Sequence, residues 1–169
     1  GATDQVGHRP YLAKLLPYIQ ASTEAGFETT FHTITPSVTS THPLSEFRFA
    51  REVIRGAIAA ERAGCDAFYM NHFQDVGLSE ARSAVSIPVL GLGESTMLFS
   101  CTLGRKMGLL AINPAFIPVH EEQVMRYGLT TRVAGLRSLD FRISDYMEAF
   151  ESEAKKAVIR TAFEREARA

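Results

Sequence analysis

Apolar residues recur along this chain in two rhythms that take turns. Tyr11, Leu12, Leu15, Leu16 and Ile19 share one helical face and Gly26 follows as a stop, which predicts a helix over 10–25. Pro17 falls inside that pattern and predicts a kink or a late start, because a ring there removes a donor and crowds the preceding turn. From Phe27 to Ile34 the alternation with β-branched residues is that of a strand. Thr35 to His42 is polar and is expected to be a loop at that strand's carboxyl end. Phe47, Ala50, Val53, Ile54, Ala57 and Ile58 then form one stripe of a long helix, capped near Ser45.

The exchange continues to the end of the chain. A strand at 66–71 is followed by a short helix at 77–85 and a buried strand, Ile87-Pro88-Val89-Leu90. A helix at 94–105 precedes the apolar strand 107–112. The segment 114–127 predicts a helix with Pro114 in its first turn and Gly128 as its stop. A weaker strand at 133–139 leads into one long charged helix, 143–168. Strands separated by helices predict βαβ units, hence an α/β fold with mainly parallel sheets and right-handed crossovers. A boundary near Leu90 to Gly93 divides the chain into a first α/β lobe, 1–90, and a second, 91–169. The first helix has no strand before it and the last has none after it, so the first lobe is expected to be partial at both ends.

Composition narrows the field of functions. A chain of 169 residues can bury a real core as one domain or two small lobes. Its net charge of -1 gives no general pull towards nucleic acid or anionic lipid. No apolar run approaches the roughly 20 residues that span a bilayer, and no signal-peptide pattern is present. Cys65 and Cys101 form no CxxC pair and read as two reduced thiols of a cytoplasmic protein.

The candidate chemistry gathers where strands end. Ligands of open α/β sheets bind beyond the carboxyl ends of the strands, and there the chain places Asn71, His72, Phe73 and Asp75. His72 is a candidate acid or base, since imidazole titrates near neutral pH; the plainer alternative is a ring that caps the next turn. Gly91-Leu92-Gly93-Glu94-Ser95-Thr96 also follows a strand and opens a helix. Thr96 replaces the third glycine of a dinucleotide fingerprint and Asn113 ends the next strand, which argues against a nucleotide. The helix start reads as a cradle for a carboxylate or ureide, or as a simple N-cap. His120-Glu121-Glu122-Gln123-Val124 lacks the second histidine of a zinc helix and reads as a solvated face. Cys65 reads as structural and Cys101 as a buried, inert thiol.

The stretch GCDAFYMNHFQDVGLSEARSAVSIPVLGLGESTM at 64–97, followed by LGRKMGLLAINPAF at 103–116, resembles the aspartate/glutamate racemase superfamily, in particular its hydantoin and allantoin racemase branch. The resemblance implies two Rossmann-like lobes with an active site in the cleft between them. It implies a racemase that needs neither metal nor organic cofactor, in which one thiolate removes a Cα proton and a second thiol delivers one to the opposite face. In this chain His72 stands at the first cysteine's place, and the segment expected to carry the second lies beyond Ala169. The strand with the family's substrate-binding asparagine would precede Gly1. Carried over by position, Asn71, His72 and Phe73 form one wall of the site, with Ser95 and Thr96 facing them. The implied activity is a racemase or isomerase acting beside a carbonyl or carboxylate of a small hydantoin, ureide or amino acid. Two alternatives stand beside it: a decarboxylase or cis–trans isomerase of the same superfamily, and a small-molecule binding protein without catalysis. The expected partner is a small-molecule substrate and, by family habit, a second copy of the chain; nucleic acid and membrane are not expected.

Overall fold

A computed structural model describes residues 9–32 and 43–169. Helix α1 (Arg9–Ser22) carries Pro17 inside it, and α2 (Pro43–Arg62) is the longest helix among the described residues. There follow β1 (Phe68–Met70), α3 (Leu78–Ala84), β2 (Val89–Gly91), α4 (Leu92–Leu103) and β3 (Met107–Ala111). A 3-10 turn, Pro114–Phe116, leads into α5 (Ile117–Arg126), then β4 (Val133–Ser138), α6 (Ile143–Glu148) and α7 (Glu153–Arg168). The strands form two parallel pairs. β1 lies beside β2 with Phe68 opposite Val89, and β3 lies beside β4 with Leu109 opposite Leu136. Each pair is joined through a helix, so both are the βαβ units that the alternating pattern predicts.

Two apolar clusters hold these units together. Val53 and Ala57, one turn apart on α2, pack over Met70, Leu78, Ala81 and Val89. Met97, Val124 and Leu129 form the second cluster, with Phe73, Met107, Leu109 and Tyr127 against it. Burying a large aliphatic side chain contributes about 1.5–3 kcal/mol, so the stripe on α2 alone accounts for its seat on β1 and α3. That seat is close. Gly77 has a φ of +79°, and a Cβ there would lie 2.8 Å from the Ala50 Cα, so α2 and the turn before α3 touch backbone to backbone.

Several element boundaries differ from the sequence expectation. Phe27 to His32 is irregular rather than a strand, with Phe27 73% exposed. Alternation marks a strand only where a neighbour accepts its backbone hydrogen bonds, and no described strand pairs with this segment. The remainder of the predicted strand, Thr33 and Ile34, and the predicted loop 35–42 lie outside the described residues. Helix α2 begins at Pro43, so Ser45 is a buried first-turn residue and not the cap; proline suits a first helical turn because its missing N–H would be unpaired there anyway. The expected helix 143–168 is two helices. Its break follows from Ser152, whose hydroxyl accepts from the Lys155 N–H and caps α7. The predicted 114–127 helix opens as a 3-10 turn, capped by the Asn113 side chain, before α5.

At the far end of α4 the guanidinium of Arg132 donates to the carbonyls of Cys101, Gly104 and Arg105 at 2.9, 2.7 and 2.7 Å. A cation placed on the last turn satisfies carbonyls that have no helical partner and opposes the helix dipole. Cys101 beside it is half-buried. Among the described residues no helix is long and apolar enough to cross a membrane.

Candidate functional site

His72 stands two residues beyond the end of β1, in a turn closed by Asp75 N–H on the His72 carbonyl at 3.1 Å. Asp75 takes a left-handed φ of +52° and Gly77 one of +79°, which turns the chain back from the strand end into α3. The turn meets α2 side-on. Glu46, Phe49, Ala50 and Val53 follow one helical face. Val53 is anchored in the core and Ala50 on Gly77, so the same face brings Glu46 and Phe49 to the imidazole. The ring of His72 stacks on Phe49 with centroids 4.7 Å apart and 28° between planes. Its Nε2 lies 3.9 Å from Oε2 of Glu46, the two side chains being 22% and 19% exposed.

The electrostatics of this pair follow from burial. Loss of water holds the His72 pKa down to about 4, with the charge of His120 adding to the effect. The imidazole is therefore neutral at pH 7. Burial also pushes the Glu46 carboxyl above its usual range. Among the described residues, Nδ1 of His72 and Oε2 of Glu46 are buried and make no hydrogen bond.

Asp75, three residues on, is wholly buried and is the hub of the turn. One oxygen accepts from the Gly93 N–H at 3.0 Å, and the other from the Glu94 N–H at 2.6 Å and the Tyr127 hydroxyl at 2.7 Å. Gln123 Nε2 adds a longer contact at 3.4 Å. Two N–H groups of the α4 N-terminus, read from sequence as a cradle for a substrate anion, are thus taken by the protein's own carboxylate. The glycines of Gly91-Leu92-Gly93 make room for it: a Cβ on Gly93 would lie 2.1 Å from the Phe73 carbonyl and 2.7 Å from Asp75 Oδ2. Gly93→Ala is therefore expected to cost more than about 3 kcal/mol, read as a lower urea midpoint. An unchanged midpoint would mean that the 72–75 turn does not rest on α4. The Tyr127 phenol, half-buried and bonded to this carboxylate, is pushed above its usual range by loss of water and by that bond.

His120 corrects the sequence reading of α5: it is 5% exposed, not on a solvated face. Gln123 Nε2 donates to the Phe73 carbonyl at 2.7 Å, which leaves its Oε1 to accept from His120 Nδ1 at 2.8 Å. The His120 ring therefore carries its proton on Nδ1. Burial lowers its pKa, against the opposing effect of the hydrogen bond it donates to Gln123. Phe73 meets this ring edge-on at 5.4 Å and is half-buried beside Met97. Asn71 is exposed, as are Ser95 and Thr96 on the first turn of α4. Asp75 joins the His72 turn to that helix, and no side-chain contact joins His72 to Ser95 or Thr96. Arg82 of α3 clamps the same helix start, donating to the Val89 carbonyl at 3.0 Å and to both oxygens of Glu94.

Sequence reasoning missed Glu46, Phe49, His120 and Gln123, and named Asp75 without its role. Asp75 had a legible signal, an acidic residue two places before a glycine at a strand end. Glu46 had none, because nothing in its own segment marks it as facing a turn elsewhere. Among the described residues no group of three His, Cys, Asp or Glu side chains could hold a metal. A pocket lined by Cys101, Gly104, Lys106 and Arg132 lies at the opposite end of α4 and shares no residue with this site.

Parallel βαβ units with a polar turn at the carboxyl end of a strand define an α/β protein. The Asp/Glu/hydantoin racemase family matches residues 10–168, and the chain belongs to that family. It is similar to the hydantoin racemase of Pseudomonas sp. (strain NS671), 28% identical over 113 residues, 63% of this chain and 45% of that protein. The hydantoin racemase of Rhizobium meliloti is 28% identical over 83 residues, 49% of this chain and 34% of that one. The allantoin racemase from Klebsiella pneumoniae shares the fold, with a TM-score of 0.79 over 95% of this chain and 65% of that chain at 21% identity. The chain spans less than half the length of the curated relatives it matches.

Proposed function

We propose that the protein is a racemase that exchanges the proton on the carbon beside a carbonyl or carboxylate of a small hydantoin, ureide or amino acid, without metal or organic cofactor. The observation that carries this reading is the position of His72: an imidazole at the carboxyl end of β1, neutral at pH 7, within 3.9 Å of a carboxylate. Family membership supplies the reaction class. In this reading His72 removes or returns the Cα proton on one face, and a second group acts on the other. The electron pair left on carbon is held as an enolate by donors around the carbonyl. Asn71 and Phe73 line the His72 wall, and Ser95 and Thr96 face it across a cleft between the lobes 1–90 and 91–169. A cytoplasmic homo-oligomer completes the proposal.

The test is isotope exchange. One enantiomer of a 5-substituted hydantoin, incubated with the protein in deuterated buffer, should gain deuterium at Cα as its optical rotation decays. Release of carbon dioxide would instead mark a decarboxylase, and binding without exchange would leave only a ligand-binding role. A base must be unprotonated to act, so the acid limb of kcat/KM should fall only as pH drops towards about 4, where His72 gains its proton. An acid limb centred near the ordinary histidine value, about 6.5, would remove His72 from the role of base.

A further inference from the structure

We infer that Glu46 is the proton partner of His72, a positioning residue that fixes the ring's tautomer and balances the charge the ring acquires. The inference rests on the racemase reading for its part in turnover, while the pairing can be tested without turnover. Its ground is geometric. Oε2 of Glu46 and Nε2 of His72 face each other at 3.9 Å, and Oε2 of the one and Nδ1 of the other are buried without a hydrogen bond. A buried donor left unpaired costs about 1–3 kcal/mol. The arrangement with no orphaned donor puts the imidazole proton on Nε2, towards the carboxylate, and leaves a bare lone pair on Nδ1. Phe49, one turn along α2 from Glu46, holds the ring plane by stacking. The contact of Ala50 with Gly77 sets the distance between helix and turn.

The charge balance gives the pairing its use. When the ring gains a proton it becomes imidazolium, and in the racemase reading the C–H electron pair then stays on the substrate as enolate. A buried imidazolium with no counter-charge is unfavourable, and a carboxylate beside it removes much of that penalty. The other ionisable groups around the ring do not offer this. Any charge that His120 on α5 takes up has the same sign as the imidazolium, and the oxygens of Asp75 in its own turn already accept from Gly93, Glu94 and Tyr127.

The test is a titration of the whole chain, carbon-13 labelled at the histidine rings and glutamate carboxyls, followed by NMR. In the unmutated protein the Glu46 carboxyl and the His72 ring should inflect together at one pH. In Glu46→Gln the His72 midpoint should fall by about one unit, and the acid limb of the exchange reaction should move with it. Independent inflections, or a midpoint unchanged in Glu46→Gln, would overturn the pairing. Should that variant not fold, the shared inflection in the unmutated chain decides alone. A shared inflection in a protein that exchanges no Cα proton would keep the pairing and discard the racemase reading. Full exchange with independent inflections would do the reverse.

Discussion

His72→Ala is expected to lower the rate of Cα deuterium exchange by about 10²–10⁴-fold, the usual contribution of a positioned acid or base. The loss should fall on kcat, because the ring's proposed part is to move a proton and not to hold the ground-state substrate. The ring also stacks on Phe49, so truncation leaves a gap and removes packing. His72→Gln separates the two effects, since it keeps volume and hydrogen-bonding capacity while losing the titratable nitrogen. Both variants should be slow, and only the alanine should also lose stability. Deuterium uptake followed by mass spectrometry, beside a urea titration of each variant, makes the comparison. A glutamine variant within tenfold of the unmutated rate would place the proton transfer on another group.

Asp75→Ala is expected to destabilise the fold by roughly 3–5 kcal/mol, a large effect for one substitution. The carboxylate is fully buried and accepts from two backbone N–H groups, one phenol and one side-chain amide. Its removal leaves those donors without their acceptor in a site that is buried at Gly93 and Gln123 and half-buried at Glu94 and Tyr127. Asp75→Asn is the sharper variant, because it keeps the shape and turns one acceptor into a donor facing another donor. Both variants should lower the urea midpoint, and the asparagine should lower it nearly as far as the alanine. If Asp75→Asn matched the unmutated midpoint, charge and acceptor count at this point would not matter, and the hub would be only a space-filler.

The strands at 66–71, 87–90, 107–112 and 133–139 show because each is short, apolar and set between turn residues, and all four are present as parallel pairs. The motif behind the family resemblance was legible too, and the structure gives many of its positions a packing reason. Gly93 admits the turn, Ala81 is fully buried, and Arg82 pairs with Glu94. What stayed hidden depends on contacts between distant segments. His120 and Gln123 look polar on a helix wheel, yet they are buried because Phe73 and Asp75 arrive from elsewhere to pair with them. Phe27 to His32 looks like a strand, but strand pairing is a property of two segments and the pattern reports only one. The break before α7 is a local competition at Ser152, whose signal is a single hydroxyl among charged helix formers.

The chain separation of the Asp75 bonds has a kinetic consequence. Each βαβ unit closes within its own stretch of sequence, as does the Asp75 bond to Gly93, whereas the Asp75 contacts with Gln123 and Tyr127 span 48 and 52 residues. Contacts of long separation come late, after the loops they close have lost their freedom. A link made after the rate-limiting step leaves the speed of folding untouched and governs the rate of escape. On that ground the buried carboxylate is expected to act as a latch on lifetime: Asp75→Ala should speed unfolding and leave the folding rate nearly unchanged in stopped-flow urea jumps.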